Sequence, residues 1–347
     1  PYILPSNVYT AYGSTSNGIP FYRRLIGADW NAPSDVLLGG GSVPQWVELE
    51  GCPVRNELIC GVIDSIGEIK VAVYDGTTWG NAEPFSHGDQ NYKCFDIAYE
   101  SQSGDALVVA RDGTATPLYY NIWDGTGWVY GNPQTAVTLP GGNIHDVVMA
   151  SQPGGNEILI AVVTSWGEIQ LVRWDGSAFS DLGTIETVAA TNDFRKVEII
   201  YEHQSGDAMV VWSRNGDSAL KFRMWNGVTL EPEGSLPDFG GNENMVIRGA
   251  ADSNPASDYI VIGAVDNFFD INVAVWDGDN WIDSREIETA ASTNMSLVFD
   301  VAWEAAGEDV VIAWPNWNVN NVHSIAWRQG MALADCPIQE GPSFQGT

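Results

Sequence analysis

The sequence predicts an all-β fold: a β-propeller of seven blades with four antiparallel strands each, six being the alternative count and the first blade incomplete. Three observations carry this. First, one hairpin device recurs. Tyr74-Asp75-Gly76-Thr77-Thr78-Trp79, Trp123-Asp124-Gly125-Thr126-Gly127-Trp128, Trp174-Asp175-Gly176-Ser177-Ala178-Phe179, Trp225-Asn226-Gly227 and Trp276-Asp277-Gly278-Asp279-Asn280-Trp281 each end an apolar strand on an Asp-Gly or Asn-Gly turn, and an aromatic usually opens the return strand. Second, from Tyr74 to a worn copy at Trp327 the steps are 49, 51, 51, 51 and 51 residues, and a fixed period in this range marks a solenoid, propeller or array. Third, each repeat holds four strand signals with Gly-rich turns and no helical pattern, so ring closure would cover both apolar faces of each sheet.

Taken in order, residues 1–40 supply strand-like Val8–Tyr12, Phe21–Ile26 and Asp35–Leu38, with a worn hairpin at Ile26–Trp30. These resemble the second to fourth strands of a blade, and no first strand precedes them. Fuller repeats follow at about 41–89, 90–140, 141–190, 191–241, 242–292 and 293–347, all within one domain. Their strands are termed A to D. In the repeat at 90–140, A is Cys94–Glu100, B is Ala106–Ala110, C is Leu118–Trp123 and D starts near Trp128. Turns such as Ser103-Gly104-Asp105 and Ser205-Gly206-Asp207 separate A from B. The B strands, such as Ala208–Trp212 and Tyr259–Gly263, are near-continuous apolar runs, as sheets covered on both faces require. A first blade without strand A leaves an open edge that recruits a strand, from this chain or from another.

With 45 acidic against 15 basic residues the net charge is −30. This argues against nucleic acid or an anionic membrane as partners, both of which need clustered Lys and Arg. It favours solubility, cations or basic partners. No apolar run is long enough for a membrane helix, about 18 residues or more. The chain starts at Pro1, not at Met, so a processed or trimmed chain is expected, with room upstream for a signal or anchor; the protein is read as secreted or cell-surface. The cysteine spacing excludes zinc-ribbon, thioredoxin-like and c-haem motifs. Cys52 and Cys60 flank one A–B turn and are expected to form a disulfide, while Cys94 and Cys336 are far apart in repeat order.

Aligning the A strands gives two registers of carboxylates. One reads Glu48, Asp96, Asp146, Glu198, Arg248 and Asp300; the other, four residues on, reads Glu50 (after an offset), Glu100, Ala150, Glu202, Asp252 and Glu304. Residues i and i+4 of a strand share a face, so the expectation is two acidic layers. They either tie blades together through backbone N–H groups or bind a cation or a basic ligand, with calcium as the candidate. Asn91, Asn143, Asn192, Asn244 and Asn294 precede strand A and suit turns in the D-to-A connectors. Trp79, Trp128 and Trp281, with Phe179, either stack on sugar rings or pair across the hairpin. His87, His145, His203 and His323 sit at unlike repeat positions. The sequon Asn294-Met295-Ser296 would matter only in a secreted eukaryotic protein.

The strand–Trp-Asp-Gly-x-x-Trp hairpin resembles the repeats of secreted bacterial β-propellers, and more loosely the Asp-box hairpins of sialidase-type propellers and the repeats of fucose-binding lectins. The fucose-lectin resemblance implies a sugar held by an Arg, an acid and a Trp in each blade. Arg111 and Arg214 share a B–C register that other blades lack. Phe21-Tyr22-Arg23-Arg24 lacks the Arg-Ile-Pro signature of sialidases. The expected function is therefore a non-catalytic extracellular binding or structural module, an adhesin or filament subunit, without cofactor unless calcium binds. The alternative is a glycan-binding lectin, and a weaker one a glycoside-active enzyme.

Overall fold

The computed structural model describes all residues except 1–7, 15–17, 27–28, 37, 39–41, 114–116, 140, 190–195, 238–250, 267–269, 290–298, 317–320 and 344–347. Arg248, Asn192, Asn244, Asn294 and the sequon therefore lie outside the described residues. The chain is all-β: seven four-stranded antiparallel sheets form the blades of a β-propeller. Two compact units divide it, residues 1–185 with blades 1–4 and residues 186–347 with blades 5–7.

In the first unit, blade 2 comprises Pro44–Gly51, Leu58–Asp64, Glu68–Tyr74 and Trp79–His87. Blade 3 comprises Phe95–Tyr99, Ala106–Arg111, Pro117–Trp123 and Gln134–Thr138. Blade 4 comprises Ile144–Ser151, Ile158–Thr164, Ile169–Trp174 and Phe179–Glu186. In the second unit the A, B and C strands are Val197–Tyr201, Ala208–Trp212 and Lys221–Trp225 in blade 5; Ala251–Ser253, Ile260–Val265 and Ile271–Trp276 in blade 6; and Asp300–Trp303, Asp309–Asn316 and Asn321–Arg328 in blade 7. Their D strands are Gly234–Ser235, Trp281–Glu288 and Gln339–Ser343. The B strands of blades 2 to 6 are buried along their whole length, which explains their unbroken apolar runs.

Blade 1 differs. Val8–Tyr12 pairs with Phe21–Ile26, and both Asp29–Trp30 and Ser34–Asp35 pair with that second strand. The expected strand at 35–38 is thus split into two short pieces lying earlier. Among the described strands, Val8–Tyr12 has one partner, on one edge.

The recurring hairpin is now physically legible. The turn Asp accepts backbone N–H bonds two and three residues on: Asp75 from Thr77 and Thr78, Asp124 from Thr126 and Gly127, Asp175 from Ser177 and Ala178, Asp277 from Asp279 and Asn280. Gly125, at φ 86°, presses on the Arg55 guanidinium of the preceding blade, so a Cβ would have no room. The aromatic before the turn meets the aromatic after it across the hairpin, with ring centroids 5.4 Å apart for Tyr74–Trp79, 5.5 Å for Trp123–Trp128 and 5.3 Å for Trp276–Trp281. In blades 2, 4 and 6 a third ring, from strand C of the preceding blade, packs against the pair: Tyr22, Tyr120 and Phe222.

The expected Cys52–Cys60 disulfide is absent; both thiols are free and buried, as are Cys94 and Cys336. Cys52 packs with Ile59, Ile63 and Phe95 on the face shared with blade 3, whereas Cys60 packs with Tyr74 and Trp79 on the opposite face. Nearness along a hairpin does not bring together side chains on opposite faces of one sheet.

Candidate functional site

Strand register fixes which residues are equivalent. The last residue of strand A paired with strand B is Gly51, Tyr99, Ser151, Tyr201, Ser253 and Trp303 in blades 2 to 7. The next residue is therefore Cys52, Glu100, Gln152, Glu202, Asn254 and Glu304. The second acidic layer occupies alternate blades, and Asp146, Ala150 and Asp252 lie two residues off the alignment read from sequence. The A–B turns alternate with it. Blades 2, 4 and 6 carry Pro53, Pro153 and Pro255 where blades 3 and 5 carry Ser101 and His203.

These carboxylates join blades. Glu100 accepts the Trp174 indole N–H at 2.7 Å and the Ser103 hydroxyl at 2.5 Å; Glu202 accepts those of Trp276 at 2.8 Å and Ser205 at 2.5 Å. Asp96 accepts the Met149 N–H of the next blade at 2.8 Å, and Asp252 accepts that of Trp303 at 2.9 Å. The Lys93 ammonium, buried, sits 2.9 Å from Asp96 and 3.4 Å from Glu48. The positive charge between those two acids is thus supplied by the chain itself. Glu198 is half-buried and pairs in register with Val211. Asp300 accepts the N–H of Val301, and the Glu304 side chain is exposed. Among the described residues no three carboxylate, imidazole or thiol groups converge at metal-ligand spacing.

The hairpin aromatics named from sequence are engaged in packing. Trp79 is 6% exposed, Trp281 abuts Phe222, and the Trp128 indole donates to the Asn81 carbonyl at 3.0 Å. Arg111 and Arg214 are likewise committed. Arg111 donates to the Ile144 carbonyl at 2.8 Å; Arg214 bonds Glu186 at 2.6 Å and takes both oxygens of Glu233.

A different constellation lies in the first unit, where B–C turns meet D-to-A connectors. Its spine is Gly141–His145. The Trp166 indole lies over Gly141, so closely that a Cβ there would clash with the ring, yet Trp166 is 65% exposed. The hydroxyl of Ser165 accepts the Asn143 N–H at 3.0 Å, and the Ser165 N–H returns to the Asn143 carbonyl at 2.8 Å. Further along, His145 stacks on Tyr92 with centroids 3.7 Å apart and planes 8° from parallel, while Arg111 holds Ile144 from beneath. The result is one exposed aromatic ring over Gly141, next to the Ser165–Asn143 hydrogen bonds, with the Tyr92–His145 stack further along the same connector. Sequence reasoning passed over Trp166, although a Trp inside the short turn Thr164-Ser165-Trp166-Gly167 has no strand face on which to bury itself. Asn91 and Asn143 do lie in connectors; Asn91 donates to Asp89, which helps hold that turn.

No family model matches the chain, and no curated protein matches its sequence. Solved structures match its fold. The BP39L lectin from Burkholderia pseudomallei superposes with a TM-score of 0.63 at 12% identity, covering 98% of this chain and 96% of that one. A triple arginine-to-alanine mutant of AofleA from Arthrobotrys oligospora gives 0.50 at 11% identity, covering 85% and 89%. A prolyl endopeptidase gives 0.56 at 11% identity over 97% of this chain, which spans 50% of that enzyme's length.

Proposed function

We propose that the chain is a non-catalytic carbohydrate-binding module, a lectin, and that Trp166 is a sugar-stacking surface. The observation that carries this is the Trp166 ring, supported on one side by Gly141 and 65% exposed. An apolar ring face set among amide and hydroxyl groups suits the mixed apolar and hydroxylated faces of a pyranose. The full-length fold likeness to a lectin supports the reading. An extracellular setting is part of the proposal. The test is a glycan array followed by calorimetry with the strongest sugar. Trp166→Ala is expected to weaken binding tenfold or more, about 1.4 kcal/mol, with the thermal midpoint unchanged, whereas Trp128→Ala leaves affinity intact. An array without signal, or a Trp166→Ala variant that binds as well as the parent, would sink the reading.

A second reading rests on blade 1. Val8–Tyr12 is paired on one edge by the described strands, and its ends, Val8 and Tyr12, are 41% and 36% exposed. Such an edge accepts a further strand, and a strand from a second copy would make the chain an assembly subunit. Light scattering at rising concentration is expected to show species above one chain mass, and Tyr9→Pro, which removes an edge N–H, to return them to one. A single chain mass at all concentrations rejects this reading.

A further inference from the structure

Three equivalent positions at the start of strand C solve one electrostatic problem in three ways. They are Lys70, Gln170 and Asn272, opposite Val62, Val162 and Ala264 of strand B. In blade 2, Lys70 puts its ammonium 2.5 Å from Glu68 and 3.5 Å from Asp64, the two acids that bracket the turn. Asp64 in turn accepts the N–H groups of Ile66 and Glu68 at 3.1 and 2.9 Å. In blade 4 the first of these acids is replaced by Thr164. Gln170 is satisfied at both ends without a cation, its oxygen accepting the Thr184 hydroxyl at 2.8 Å while its NH2 donates to Asp181.

Blade 6 keeps the acids of blade 2 without its lysine. Asp266, 3% exposed, and Asp270 bracket the turn, with the Asp270 N–H donating to Asp266 Oδ1 at 3.1 Å. Asn272, fully buried, sits among them, its Nδ2 3.5 Å from both Asp266 Oδ2 and the Asp270 carbonyl. Its Oδ1 is buried with no hydrogen-bond partner. The register explains this. Asn272 faces Glu286 on strand D, and an ionised carboxylate has no hydrogen to give where Thr184 serves Gln170. Glu288, opposite Ile271, adds another negative charge, although its oxygens already accept the Thr289 N–H and the Trp314 indole. The acceptors at hand thus meet the Asn272 Nδ2, while its buried Oδ1 is left orphaned, which is costly.

We infer that blade 6 binds a hard divalent cation of the calcium class at the place held by the Lys70 ammonium in blade 2, with the Asp266 and Asp270 carboxylates, the Asp270 carbonyl and, once its amide turns over so that Oδ1 takes the place of Nδ2, the Asn272 Oδ1 as its oxygen ligands. Calcium takes 6–8 oxygens and accepts amide and main-chain carbonyls and water alongside carboxylates, so a site with two carboxylates is chemically adequate.

The experiment is calorimetric titration of chelator-treated protein with CaCl2, paired with thermal melts. The wild-type chain is expected to bind one strong equivalent and to gain about 3 °C or more at millimolar calcium. Asn272→Lys, which copies blade 2, is expected to lose that equivalent and the thermal gain while melting at or above the parent in chelator. Asp266→Asn is expected to weaken the site tenfold or more and serves if the lysine variant does not fold. Absence of a strong equivalent in the wild type, or its retention in either variant, overturns the assignment.

Discussion

Trp276→Ala is expected to cost about 3–5 kcal/mol of stability, the usual range for removing a buried tryptophan. Trp276 is 6% exposed, and its ring sits between Phe222 of blade 5 and Trp281 of its own hairpin, with centroids 5.6 and 5.3 Å away. Two losses combine. The cavity forfeits these ring contacts, and Glu202 loses the indole donor that helps offset its burial. Trp276→Phe separates the two, since it keeps most of the apolar volume and deletes the N–H; about 1–3 kcal/mol is expected, the range for a hydrogen bond to a charged or buried acceptor. Trp174→Ala repeats the experiment in the first unit, where Trp174 donates to Glu100 and packs on Tyr120 and Phe179. Urea denaturation measures all three. A cost below about 1 kcal/mol for either alanine variant would show that the indole-to-carboxylate joint is not a principal tie between blades.

The tryptophan half of this joint was legible in sequence as periodicity, because the hairpin device needs a fixed aromatic, a fixed turn Asp and a fixed Gly. The carboxylate half was only partly legible. Aligning A strands on their acids slid blades 4 and 6 by two residues, a shift that keeps side chains on the same face and so raises no conflict in the pattern. The alternation of Glu100 and Glu202 with Cys52, Gln152 and Asn254 emerges from strand pairing. Its sequence signal was the proline that follows Cys52, Gln152 and Asn254. The disulfide expectation failed on the same kind of parity. Cys52 and Cys60 are close along the chain but belong to different faces of one sheet. Trp166 escaped notice for another reason: attention to repeated aromatics overlooks a residue that matters because its turn does not repeat it, Ile66 occupying that place in blade 2.

Stability is expected to fall as pH rises from about 5 to 8, and Glu202→Gln to remove part of that fall. Glu202 is 2% exposed, and burial pushes its carboxyl up to about 7, with Asp258 and Asp207 adding to the rise against the hydrogen bonds from Ser205 and Trp276. Unfolded, the same group titrates at its ordinary 4.5. Between these two values the folded chain holds a proton that the unfolded chain has released, so stability decreases with rising pH across the window. The loss is complete above the folded value and absent below the unfolded one. Each unit of displacement is worth about 1.4 kcal/mol, so Glu202 contributes at most about 3.5 kcal/mol. Glutamine never ionises; its oxygen accepts the Trp276 indole in the place of Oε1, and its NH2, in the place of Oε2, donates to the Ser205 hydroxyl. Glu202→Gln should therefore match the parent at pH 5 and exceed it at pH 8, in denaturant midpoints measured at fixed ionic strength. The residual slope of the variant belongs to carboxyls displaced in the same direction, among them Glu100 in the equivalent joint of the first unit. A variant whose stability parallels the parent at both pH values would mean that Glu202 is already ionised in the folded chain, and that the indole and the serine hydroxyl alone meet the cost of its burial.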